Sequence, residues 1–184
     1  DGAGVNIDIS ENFYKKLTHR TSLKLGEFGV GNFFYPYNAE SHAKANGIIE
    51  EILEKFDLKI LLQRNVEVNT DILNEASQKA QLPIIQYVFE KPRLVKDRDE
   101  FEKLIYKALL EIEGHAFSEE KRKGLYPLSM SSYTQVYKGR LISSEVFRYF
   151  TDLSDPDHQI SSIFFHTRFS TNTAPNPIFA QPFR

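Results

Sequence analysis

The densest run of side chains able to do chemistry is His166-Thr167-Arg168-Phe169-Ser170-Thr171-Asn172-Thr173, which closes a strongly apolar stretch. Arg168 offers a planar fork of donors that matches a carboxylate. Ser170, Thr171 and Asn172 add neutral hydrogen-bonding groups just beyond it. His166 and Arg168 stand two apart, so on a strand they project from one face. The pattern is that of a carboxylate fork ringed by neutral donors and acceptors. A plainer reading stays open at this point: Arg168 pairs with an internal Asp or Glu, and His166 is a satisfied core residue.

Other chemistries find less support. The chain has no cysteine, so thiol catalysis, disulfides and thiolate metal sites have no ligand within these residues. Histidines stand at 19, 42, 115, 158 and 166 without the i, i+4 spacing of a zinc helix, and no metal site is expected. Ser129, Ser131 and Ser132 lack a Gly-x-Ser-x-Gly elbow and read as strand hydroxyls, not nucleophiles. A net charge of -2 and a pI near 6.2 provide no basic field for nucleic acid or an anionic membrane. The longest apolar runs, Pro83 to Val88 and Ile160 to Phe165, are far shorter than the roughly 20 residues a membrane helix needs. No secretion signal is visible at Asp1-Gly2-Ala3-Gly4, so a cytoplasmic protein is the expectation.

These residues need elements to hold them. With 184 residues, 41% hydrophobic and 26% charged, one globular domain is expected. Asp1 to Gly4 reads as a turn, and Val5 to Ile9 alternates as a short half-buried strand. Ser10 suits the N-cap of a helix whose apolar face is Phe13, Tyr14 and Leu17. Phe28 to Tyr35 is a strand with glycines at 29 and 31. Over 41–56 the 3,4 repeat of Ala45, Ile48, Ile49, Ile52, Leu53 and Phe56 specifies one buried helix face. Strands follow at Leu58 to Val68 and Ile84 to Phe89, with a weaker helix at Ile72 to Ala80 between them. Asp97 and Glu100 have capping-box spacing before a second striped helix over 99–113, with Gly114 as its terminator. His115 to Gly124 is a polar connection. Leu128 to Tyr137 alternates as one long strand turning at Lys138-Gly139. Ser144 to Phe150 is helical, Asp152 to Asp157 a loop, Ser161 to Phe169 an apolar strand, and Thr171 to Arg184 a proline-containing loop. The whole is α+β, with residues 28–115 forming an inserted α+β subdomain within it.

The candidate site also carries a resemblance. His166 to Thr173, followed by Pro175 and then Ala180-Gln181-Pro182-Phe183-Arg184, resembles the segment of glutamate synthase large subunits that reads His-Ser-Arg-Phe-Ser-Thr-Asn-Thr and continues to Ala-Gln-Pro-Phe-Arg. Asp1-Gly2-Ala3-Gly4 is similar to that family's Gly-Asp-Gly-Ala-Gly loop, and Phe28-Gly29-Val30-Gly31 to its Tyr-Gly-Val-Gly strand. Ser131-Ser132 with Val136-Tyr137-Lys138-Gly139 is similar to its Ser-Ser-x-Thr-x-Val-Tyr-Lys-Gly hairpin. Four anchors in the right order span the chain.

The resemblance implies a class II glutamine amidotransferase: an N-terminal-nucleophile hydrolase with a four-layer αββα sandwich, here incomplete. It implies that Arg168 binds the α-carboxylate of glutamine while Phe169, Thr171 and Asn172 line the pocket, with His166, Asp1 and Gly2 in supporting positions. The family's nucleophilic cysteine and its oxyanion Asn-Gly would stand outside these residues, so the chain alone is expected to be inactive. No cofactor is expected in this segment; FMN and an iron-sulfur cluster would belong to other domains of the same polypeptide, fed by an electron-donor subunit or ferredoxin. The compartment would be the cytoplasm, or a plastid in a photosynthetic eukaryote. A competing reading is a non-catalytic amino-acid-binding or regulatory α+β module.

Overall fold

The computed structural model of the chain describes residues 2–116 and 124–168. Alternation of Val5 and Ile7 with Asn6 and Asp8 makes β1 (Ala3–Asp8), the middle strand of a first sheet. It lies antiparallel between β6 (Thr134–Gly139) and β7 (Ile163–His166). A second antiparallel sheet has the order β3 (Ile60–Asn65), β4 (Ile84–Glu90), β2 (Phe28–Phe34) and β5 (Tyr126–Ser131). The segment 28–115 therefore shares a sheet with β5: three of that sheet's four strands come from it. Pro127 is accommodated because β5 lies at the sheet edge, where a missing N–H interrupts no ladder on the outer side.

Each face of the second sheet has its own cover. Phe33, Ile85, Tyr87 and Phe89 pack against α2 (Ala39–Lys55) and α4 (Arg98–Ala116). On α4 the 3,4 stripe of Phe101, Ile105, Ala108 and Ile112 is wholly buried, each large side chain contributing about 1.5–3 kcal/mol. Gly29 lets that helix close on the sheet, since a Cβ there would stand 3.0 Å from Ile105 Cδ1 and closer still to the Phe89 ring. The opposite face carries Phe34 and Ile84, which join Val5 and Ile7 of the first sheet in one core. Phe28, Val30 and Val88 on that same face pack with Phe13 and Tyr14 of α1 (Glu11–Thr18). The described residues thus form helix, sheet and sheet layers, an α+β arrangement. None of their helices is long and apolar enough to cross a membrane.

Local signals account for most helix ends. Asn38 caps α2 by accepting from the Ser41 amide at 3.1 Å, and Asp97 caps α4 by accepting from the Glu100 amide at 2.8 Å. Glu100 accepts from the Lys96 amide at 3.0 Å, one residue outside the expected box. Ser10 makes no side-chain cap; its hydroxyl instead donates to the Asp157 carbonyl at 3.0 Å, tying α1 to a distant loop. Gly114 does not end α4, which runs on to Ala116. A glycine costs only about 1 kcal/mol inside a helix, and Gly114 is not among the residues with positive φ, so no left-handed stop forms there. Shorter helices occur at α3 (Glu75–Ala80) and α5 (Val146–Tyr149), the latter entered through a 3-10 turn at Ser143–Glu145. Another such turn, Thr151–Ser154, overlaps the start of the loop expected over Asp152 to Asp157.

The long strand expected over 128–137 is two strands. β5 and β6 are separated by Ser132 and Tyr133, and no turn forms at Lys138-Gly139, which continue β6. The Ser131 hydroxyl oxygen accepts from the amides of Tyr133 at 2.9 Å and Thr134 at 3.3 Å. Glu102 of α4 accepts from both serine hydroxyls and from the Ser132 amide at 2.8 Å, while Arg98 donates to the Ser132 carbonyl and lies 3.8 Å from the Tyr133 ring centre. The residues of β6 after Thr134 are all buried, so alternation gives no guide to where one strand stops and the next begins. The serines are turn-locking groups, and the hairpin carries the chain from the second sheet to the first.

Candidate functional site

Strand β7 reaches the site because Asp8 pins its approach. The Asp8 carboxylate accepts from the Ser161 amide at 2.9 Å, the Ser162 amide at 2.8 Å and the Ser161 hydroxyl at 2.7 Å. Burial pushes this carboxyl up, but those hydrogen bonds outweigh it and hold it below the usual range. From there Ile163, Phe164, Phe165 and His166 pair in register with Ile7, Asn6, Val5 and Gly4. Among the described residues nothing covers β7: Phe164 is 65% and Phe165 71% exposed, although the run is apolar.

His166 is half-buried and lies across Gly4. A Cβ at Gly4 would stand 2.8 Å from His166 Nε2 and 2.5 Å from the Tyr137 carbonyl oxygen, so only glycine leaves room for the ring. His166 Nδ1 is 2.5 Å from the Arg168 carbonyl oxygen. A carbonyl can only accept, so Nδ1 carries the proton. Burial first, then the charge of Lys138, push the His166 pKa down to about 4, against a smaller opposing effect of the Arg168 carbonyl. Lys138 sits opposite Gly4 on β6 and is 2% exposed. The ring is therefore neutral near pH 7, in its Nδ1–H form.

Arg168 is exposed and lies two residues past the end of β7, so the strand geometry that would align it with His166 does not extend to it. Among the described residues no Asp or Glu forms an ion pair with its guanidinium. Gly2 is buried immediately before β1. Asp1, Phe169, Ser170, Thr171 and Asn172 lie outside the described residues, as do 117–123 and the loop expected over 171–184. Among the described residues no cluster of three or more His, Cys, Asp or Glu could hold a metal.

Three neighbours of the site escape sequence reasoning. Gly4 belongs to β1 and not to a turn; its signal was the glycine itself, whose second use is close approach. Lys138 looks like a turn residue beside Gly139, yet it continues β6, whose residues after Thr134 are all buried. Asp8 gives no local sign, because its partners are about 150 residues away.

Two facing antiparallel sheets, helices against the outer face of one, and a His-x-Arg string at a strand end define a class, and the family comparison agrees. The model for class-II glutamine amidotransferases matches residues 1–184, and the chain belongs to that family of N-terminal-nucleophile hydrolase fold. Among individual proteins it is similar to ferredoxin-dependent glutamate synthase 1 of Arabidopsis thaliana, 34% identical over the whole chain and 12% of the relative. It is also similar to the NADH glutamate synthase of Schizosaccharomyces pombe, 32% identical over the whole chain and 9% of the relative. The large chain of the NADPH glutamate synthase of Azospirillum brasilense is 29% identical, again over the whole chain and 12% of the relative. The chain thus spans about a tenth of the length of these curated relatives.

Proposed function

We propose that this chain is part of the glutamine-hydrolysing domain of a glutamate synthase, which releases ammonia for glutamate formation from 2-oxoglutarate. Arg168 binds the α-carboxylate of glutamine through paired charge-assisted hydrogen bonds. Phe169, Thr171 and Asn172 line the pocket, and His166, Asp1 and Gly2 support it. The observation that carries this reading is Arg168: exposed, its carbonyl bonded by a half-buried histidine, and its guanidinium without an internal carboxylate among the described residues. The relatives' names support the wider assignment.

Hydrolysis needs an activated nucleophile and an oxyanion hole. These 184 residues contain no cysteine, so in this reading the nucleophile and the oxyanion Asn-Gly come from elsewhere in a longer polypeptide. FMN, an iron-sulfur cluster and the contact with an electron donor such as ferredoxin belong to its other domains. Residues 28–115 buttress the sandwich by supplying most of its second sheet. The protein works in the cytoplasm or a plastid stroma.

The test is Arg168→Ala in the full-length synthase. Removing one member of a desolvated charge pair costs on the order of 3–5 kcal/mol, so glutamine-dependent turnover at subsaturating substrate falls at least about a hundredfold. Ammonia supplied directly bypasses the pocket, and glutamate synthesis from it persists. An unchanged glutamine-dependent rate eliminates the assignment; joint loss of both activities and of thermal stability makes Arg168 structural.

A further inference from the structure

We infer that His166 is a positioning residue for Arg168: its Nδ1–H holds the Arg168 carbonyl and so fixes the backbone from which the guanidinium projects. The inference rests on the reading of Arg168 as the carboxylate ligand. Strand pairing ends at His166, so sheet hydrogen bonds no longer constrain the chain where Arg168 leaves it. The 2.5 Å contact between His166 Nδ1 and the Arg168 carbonyl supplies a constraint at that point. Arg168 itself is exposed, so packing does not set its direction.

The clamp is itself held. Gly4 gives the ring a floor, because any Cβ there would stand 2.8 Å from Nε2. Lys138, buried across β1 from His166, opposes a second positive charge on the ring. A neutral imidazole whose acceptor is a carbonyl has one usable tautomer, so the donor always faces Arg168. His166 in this arrangement is not a general base: its Nδ1–H is committed to a peptide oxygen and its Nε2 faces the floor of β1. Its effect is on where the fork points, and misplacing a binding group by about 1 Å is enough to cost up to a hundredfold.

Two substitutions separate the clamp from mere packing. The Asn amide nitrogen takes the place of Nδ1, whereas the Gln amide reaches toward Nε2. In the full-length synthase, His166→Gln is expected to raise the KM for glutamine about tenfold, with kcat and the ammonia-dependent rate changed less than about twofold. His166→Asn is expected to restore a KM within about threefold of wild type. Equal KM values for the two variants overturn the inference, as does a His166→Gln KM equal to wild type while Arg168→Ala raises it. If Arg168→Ala leaves the KM unchanged, the pocket reading itself fails, and the inference with it. Should His166→Gln not fold, His166→Asn decides alone: a near-native KM with native melting temperature supports the clamp, and a tenfold rise overturns it.

Discussion

Arg64 and Asp152 are far apart in sequence and meet between the two sheets. Arg64 donates from Nη1 to Asp152 Oδ1 at 3.1 Å and from Nη2 to Oδ2, and from Nε to Gln86 Oε1 at 2.8 Å. Tyr137 donates its hydroxyl to Asp152 Oδ2 at 2.9 Å, and the Phe13 ring lies 5.7 Å from the guanidinium. Burial opposes the Arg64 charge, but the Asp152 hydrogen bonds outweigh it and the pKa is raised. The side chains are 14% and 7% exposed, and this decides the magnitude. An exposed pair would contribute about 0–1 kcal/mol, whereas breaking a buried one leaves a charge uncompensated and costs about 3–5 kcal/mol. Asp152→Ala also strips the Tyr137 hydroxyl of its acceptor. For a chain of this size each kcal/mol moves the melting temperature by about 2–4 °C, so Asp152→Ala should lower it by roughly 6–20 °C. Arg64→Met with Asp152→Leu removes both charges and keeps the volume, and should recover most of that loss. Urea unfolding of Arg64→Met, Asp152→Leu and the double variant gives the coupling directly. A loss below about 1 kcal/mol in Asp152→Ala, or a double variant no better than the single, would refute the buried-pair argument.

The purified chain is expected to release no ammonia from glutamine above the buffer blank, since no thiol nucleophile is present in it; turnover that survives repurification contradicts this. Stability should also fall on mild acidification. His158 donates from Nδ1 to the Asp152 carbonyl at 2.8 Å and accepts at Nε2 from the Gln135 amide at 3.1 Å, and burial pushes its pKa below 6.5. His166 is pushed down to about 4. Both take up protons more readily when unfolded, so stability is full above about pH 6.5 and declines as pH falls from there toward 4. Melting curves between pH 7.5 and 4.5 should show the decline in the wild type and a shallower one in His158→Gln; a flat wild-type profile would count against neutral buried imidazoles.

Where a feature depends on near neighbours in sequence, the residues alone disclose it. The stripes on 41–56 and 99–113 place α2 and α4, because helix periodicity repeats every few residues and burial of one face enforces it. Alternation in Val5 to Ile9 and the aromatic run at Phe28 to Tyr35 place β1 and β2 for the same reason. The resemblance of His166 to Thr173 and three further strings points to the family that the comparison shows. Boundaries were less legible: no glycine or proline marks the turn at Ser132-Tyr133, and Gly114 looked like a stop that the helix did not need.

What sequence patterning cannot carry is partnership across long separations. Nothing near Lys138 foretells its burial, and nothing near Phe164 and Phe165 foretells their exposure: β6 and β7 are both edge strands of the first sheet, and what differs is the packing around each. The meeting of Arg64 with Asp152 is likewise decided only when the two sheets close, and that of Asp8 with Ser161 and of His166 with Gly4 only when β7 pairs with β1. Local composition sets which segments are helices and strands and supplies the chemical groups. Tertiary packing alone sets their desolvation, their hydrogen-bond partners and their protonation, because each depends on atoms that the chain brings together from distant positions.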